Sequence, residues 1–109
     1  MEAMRITLSH HLTADRLERM TAIATTIGFG KIVEEFEDDI YGEPTWHCLT
    51  DTGVLLVKSA DKTKVITLYV ATAHRISAYY YKKRNHQPAP AYLMRIAKNN
   101  ERKRPYLFI

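Results

Sequence analysis

"TWHCLTDTGVLLVKSADKTKVITLYVAT" (residues 45–72) holds three apolar runs separated by two clusters of turn residues. "TWHCLT" (45–50) has strand composition, "VLLVKS" (54–59) reads as a buried strand, and "KVITLYVAT" (64–72) is rich in β-branched residues. The short breaks "DTG" and "ADKT" suit tight reversals, so the three runs predict an antiparallel meander. Strict alternation along the last run places Ile66, Leu68 and Val70 on one face and Val65, Thr67 and Tyr69 on the other. One of these faces has to meet a helix.

Upstream, Leu17, Met20, Ile23, Ala24 and Ile27 recur at helical spacing, with Thr13 placed as N-cap, Asp15 in the first turn and Gly28 as a C-cap. A helix over 14–27 follows, with Leu12 and Leu17 spaced as a hydrophobic staple and "RITLSHH" (5–11) ahead of it as a short strand. "KIVEEFEDDIYGEP" (31–44) fits both a strand and a short helix. Downstream, a helix opens at Ala73 and stops before "QPAPA" (87–91), and another runs from about 90 to 100 with Pro90 in its first turn. The closing "RPYLFI" (104–109) is apolar enough to dock as an added strand. The expected class is α+β: one domain over 1–109, an N-terminal helix on a small antiparallel meander, then two C-terminal helices.

Composition narrows the setting. The chain has 109 residues, 46% of them apolar, and a single cysteine, Cys48, which cannot form an internal disulfide. No apolar run approaches a membrane span, and no zinc, calcium or cofactor motif is present, so a cytoplasmic protein without metal or cofactor is expected. Cys48, flanked by apolar residues in a strand, reads as buried and inert.

Charge is segregated. Residues 74–109 hold nine Lys and Arg against one acid, Glu101, whereas seven acids fall between Glu34 and Asp51 with no Lys or Arg among them. Such asymmetry fits an RNA or DNA partner contacted through Lys82, Lys83, Arg84, Arg102, Lys103 and Arg104. It equally fits an acidic stretch folded against the basic tail, in this chain or in a second copy. "AYYYKKR" (78–84) interleaves rings and cations as single-strand sites do, but on a helix Tyr79, Tyr80 and Tyr81 point about 100° apart, so at least one enters the core.

"ITLSHHLTADRLERM" (6–20), followed after a variable middle by "LTDTGVLLVKSADKTKVITLYVA" (49–71), resembles small RelE-like proteins of prophages and mobile elements, within the barnase, EndoU, colicin and RelE grouping. Members open with a Ser-x-His lead into an Arg-rich helix, here Ser9 and His11, and later carry a Val-Ile-Thr-x-Tyr phrase, here 65–69. The family often places Arg four and eight residues after the lead histidine; Asp15 holds the first position here and Arg19 the second. The resemblance implies a metal-independent ribonuclease toxin. It implies His11 or His74 as base, Tyr69 as proton donor or orienting group, and Arg19 or Arg75 steadying phosphate charge. Two other classes stay open: a non-catalytic RNA- or DNA-binding module, and a phage-encoded inhibitor that meets a host or defence protein through the acidic stretch. An antitoxin partner and a homo-oligomer are both compatible with the charge pattern.

Overall fold

A computed structural model describes residues 14–108. The strand expected over 5–11, His11 and the Thr13 cap lie outside the described residues. Eight elements follow: α1 (Ala14–Thr26), β1 (Ile32–Ile40), β2 (Glu43–Thr50), β3 (Val54–Ser59), β4 (Val65–Val70), α2 (Ala73–Lys83), α3 (Ala91–Lys103) and a 3₁₀ turn, η1 (Pro105–Phe108). The four strands among the described residues form one antiparallel sheet in the order β1-β2-β3-β4. The α+β class and the order helix, meander, two helices are as the sequence predicts.

Each strand feeds two apolar clusters because its side chains alternate between faces. On one face Phe36, Leu49, Leu55 and Val57 pack with Ile76, Tyr79 and Tyr80 of α2 and with Leu93 and Ala97 of α3. On the other, Cys48, Val54, Leu56, Val65, Leu68 and Val70 pack with Met20 and Ile23 of α1 and with Leu107 of η1. β3 is therefore covered on both sides, which explains its unbroken apolar run "VLLV".

One choice the sequence leaves open is decided, and two local outcomes differ from the sequence reading. Residues 32–40 form a nine-residue edge strand, paired with β2 from Ile32↔Thr50 to Ile40↔Glu43. The tail docks as η1 rather than as a strand: Pro105 has no amide hydrogen to offer a ladder, and Leu107 is buried between α1 and β4. Along β4 the pairing slips where Val57↔Thr67 is followed by Lys58↔Val65, leaving Ile66 as an extra residue. That bulge reverses the alternation, so Val65 joins Leu68 and Val70 on the α1 face while Ile66 and Tyr69 face the α2 cluster.

Helix ends and turns are tied by specific groups. Gly28, at φ +81°, donates its amide to the Ile23 carbonyl (3.0 Å) and closes α1, as its place in the sequence implies. The β2–β3 turn is clamped from both sides. Thr52 Oγ1 donates to the Gly28 and Phe29 carbonyls (3.0 Å each), and buried Asn100 of α3 donates its amide to the Thr52 carbonyl (3.0 Å). Glu101, the one acid of the last third, accepts from the Ala73 amide (3.2 Å) and so holds α3 against the start of α2.

Candidate functional site

β4 and α2 are joined by two residues only, Ala71 and Thr72, so the end of the strand and the first turn of the helix share one region of surface. Thr72 caps α2: its backbone is extended (φ −71°, ψ 158°) and its Oγ1 accepts from the Arg75 amide (3.1 Å). This fixes His74 and Arg75 as exposed side chains next to Tyr69, four residues back on β4 from the helix start.

A cleft of about 360 Å³ lies here, lined by Asp38, Thr72, His74, Arg75, Ala78, Tyr79 and Lys82. Thr72 and Arg75 also border a smaller hollow of about 160 Å³ that includes Arg19, Tyr69 and Phe108. Arg19 and Tyr69 in turn border a third hollow, about 320 Å³, with Arg16 and Thr67. The three adjoin through shared residues and make a furrow along β4 and α2. Arg16, Arg19, Arg75 and Lys82 supply its cations, and Asp15 and Asp38 its carboxylates.

Arg75 and Tyr79 of the cleft lining belong to a hydrogen-bonded chain. Arg75 Nη1 donates to Tyr69 Oη (2.8 Å), with the guanidinium 5.0 Å from the Tyr69 ring centre. Tyr79, whose hydroxyl also interacts with Tyr69 and Arg75, bonds His47 Nδ1 at 2.5 Å, and His47 Nε2 meets Thr45 Oγ1 at 3.0 Å. Burial pushes His47 below the usual imidazole range; Arg75 and Lys83 push the same way and Asp38 opposes them, so the ring is neutral at pH 7. Burial also raises Tyr79 well above an ordinary phenol, and it keeps its proton.

Of the five side chains implied as catalytic, the structure brings Arg19, Tyr69, His74 and Arg75 to adjoining hollows; His11 lies outside the described residues. His47 and Tyr79 were not among them. A histidine in an alternating strand gives no sign of which face it takes, and Tyr79 is one of three consecutive tyrosines.

The six expected nucleic-acid contacts separate. Lys82 lines the cleft, and Lys83 is exposed beside it on α2. Arg84 is committed within the fold: Nη2 donates to Glu34 Oε1 (2.5 Å) and to the Glu35 carbonyl (2.8 Å), and the guanidinium lies 4.7 Å from the Phe36 ring centre. Arg102 and Arg104 donate to Asn99 (3.0 Å) and Asn100 (3.3 Å) of their own helix, and neither they nor Lys103 line the hollows described above. Lys82, Lys83, Arg102 and Lys103 occupy last turns of helices, where cations complement the exposed carbonyls.

The acidic stretch is likewise partly spent on the fold. Glu34 takes Arg84 and accepts from Tyr80 Oη (3.3 Å), while Glu35 pairs with Lys62, whose ammonium sits 4.0 Å above the Trp46 ring. Burial and Glu34 push the Tyr80 hydroxyl up to about 12. Cys48 is fully buried, and burial raises its thiol. Among the described residues no three His, Cys, Asp or Glu side chains gather as a metal site, and no helix is long and apolar enough to cross a membrane.

The chain matches no protein-family model, no curated protein and no solved structure.

Proposed function

We propose that the furrow holds the phosphodiester backbone of RNA and cleaves it as a metal-independent ribonuclease, the activity that the RelE-like resemblance of a prophage or mobile-element toxin implies. The observation that carries this reading is the meeting of Arg19, Tyr69, His74 and Arg75 around Thr72, from two helices and a strand. Imidazole titrates near neutrality and suits a general base, guanidinium suits a phosphate, and a phenol suits proton delivery.

In the proposed step His74 takes the proton of a ribose 2′-hydroxyl, and the 2′-oxygen bonds to the adjacent phosphorus. The bond from phosphorus to the 5′-oxygen breaks, and that oxygen takes the Tyr69 proton, leaving a 2′,3′-cyclic phosphate and a 5′-hydroxyl. The proton on His74 then returns to Tyr69 through solvent. Arg19 and Arg75 offset the charge that grows on the phosphorane oxygens. Tyr79, anchored on neutral His47, orients Tyr69 and Arg75.

A non-catalytic RNA- or DNA-binding module is the second reading. It is favoured by the His74 ring, which has no hydrogen-bond partner among the described residues to orient it. The two readings separate with variants and labelled RNA in the presence of a chelator. Under the first, His74→Ala loses a hundredfold or more in cleavage while folding and RNA affinity are kept, and Arg75→Ala loses both cleavage and affinity. Wild-type protein that binds the RNA and leaves it whole supports the second and ends the first.

A further inference from the structure

Of the three consecutive tyrosines, Tyr79 and Tyr80 turn into the core, at 8% and 7% exposure, while Tyr81 is 59% exposed. Its ring is not isolated. The His86 ring stacks on it, with centroids 4.2 Å apart and ring planes 22° from parallel. The stack depends on an unusual turn at the end of α2. Asn85 and His86 both take left-handed backbone conformations (φ 51° and 62°), and the His86 amide donates to the Tyr81 carbonyl (3.0 Å). Asparagine tolerates this region; a second non-glycine residue in it is uncommon and strained, and here it carries the imidazole back over the phenol.

The result is a preformed pair of stacked aromatic rings on two exposed residues, with the exposed Lys82 and Lys83 following Tyr81 on α2. Tyr81 is seven residues beyond His74 on α2. Two helical turns therefore separate them, so both lie on one stripe of the helix about 10 Å apart. Ala78, between them on that stripe, lines the cleft with His74. A strand whose phosphate sits against Arg75 and Lys82 accordingly runs past Tyr81.

We infer that the Tyr81–His86 pair is a stacking subsite for an unpaired base of single-stranded RNA whose backbone lies in the furrow. This deepens the RNA reading above and rests on it for the placement of the backbone. Stacking on an aromatic face is tolerant of base identity and requires an unpaired base, so the subsite selects single strands over duplex. The ammonium groups of Lys82 and Lys83 supply the phosphate contacts next to the ring pair.

The probe is a short 2′-O-methyl oligoadenylate, which cannot be cleaved because its 2′-oxygen is blocked. Tyr81→Ala weakens its binding about tenfold with an unchanged dependence on salt, whereas Lys82→Ala flattens that dependence. Tyr81→Trp restores affinity, and an oligonucleotide lacking bases binds wild type and Tyr81→Ala alike. Because Tyr81 is exposed, melting temperatures confirm that each variant folds. Equal affinity of wild type and Tyr81→Ala for the oligoadenylate overturns the subsite and leaves the ring pair as a helix-end contact or a surface for protein. Failure of the enzyme reading looks different: RNA stays whole while the Tyr81 dependence of binding persists.

Discussion

Replacing Arg84 by methionine separates a structural cation from a nucleic-acid contact within "KKR" (82–84). The methionine keeps an apolar stem over Phe36 but removes the partner of Glu34, the donor to the Glu35 carbonyl and the charge above the ring. The ion pair is partly open to solvent, at 37% and 25% side-chain exposure, so its share is held to about 0.5 kcal/mol. The hydrogen bond to the Glu35 carbonyl contributes about 1 kcal/mol and the cation over the ring about 0.5 kcal/mol. Arg84→Met is therefore expected to destabilise the fold by about 2 kcal/mol. In a domain of this size that lowers the melting temperature by about 8 °C. Denaturant unfolding of wild type, Arg84→Met, Glu34→Gln and the double variant measures it, and the double variant should cost clearly less than the two singles combined. Unchanged stability in Arg84→Met, together with a flatter salt dependence of RNA binding, would refute the reasoning and return Arg84 to the binding surface.

Lys82→Ala should reduce the slope of log affinity against log salt by about 0.7 for single-stranded RNA, with Arg102→Ala and Lys103→Ala leaving it unchanged; fluorescence anisotropy over a salt series checks both. Buried His47 binds its proton less readily in the folded chain than in the unfolded one, so its contribution to stability is complete above pH 6.5 and lost as pH falls below that value. Urea unfolding at stepped pH should show this loss, at no more than about 1.4 kcal/mol per pH unit from one proton, and His47→Asn should remove that part of the slope. Gly53 has φ +88°, and a Cβ there would come within 2.8 Å of Asn100 Nδ2. Gly53→Ala should cost about 1–3 kcal/mol in the same assay, and wild-type stability in that variant would show that the turn relaxes freely.

The parts of the fold that were legible depend on neighbours in sequence. α1 begins at Ala14 and closes on Gly28, β3 spans 54–59 and α2 opens at Ala73, all where local periodicity and capping put them. β1 was ambiguous because Ile32, Phe36 and Ile40 are four apart, a spacing common to one face of a helix and one face of a strand; the ladder to β2 decides it, and those bonds are long-range. The bulge at Ile66 and the docking of η1 depend on partners across the sheet in the same way. In the site, Tyr69, His74 and Arg75 are close in sequence and were read together. His47 and Tyr79 meet across 32 residues, and Arg84 finds Glu34 across 50, so neither partnership leaves a local mark. The charge segregation was plain, yet half its meaning is internal: the acidic strand and the basic helix hold each other.

The central claim, cleavage of RNA in the furrow between β4 and α2, is tested most directly by the chemical ends of the product. Purified wild-type protein with chelator present should convert RNA, free or on ribosomes, to fragments bearing 2′,3′-cyclic phosphate and 5′-hydroxyl ends, and His74→Ala should not. RNA left whole in both settings, or fragments with 5′-phosphate ends that appear only with a divalent cation, would contradict it.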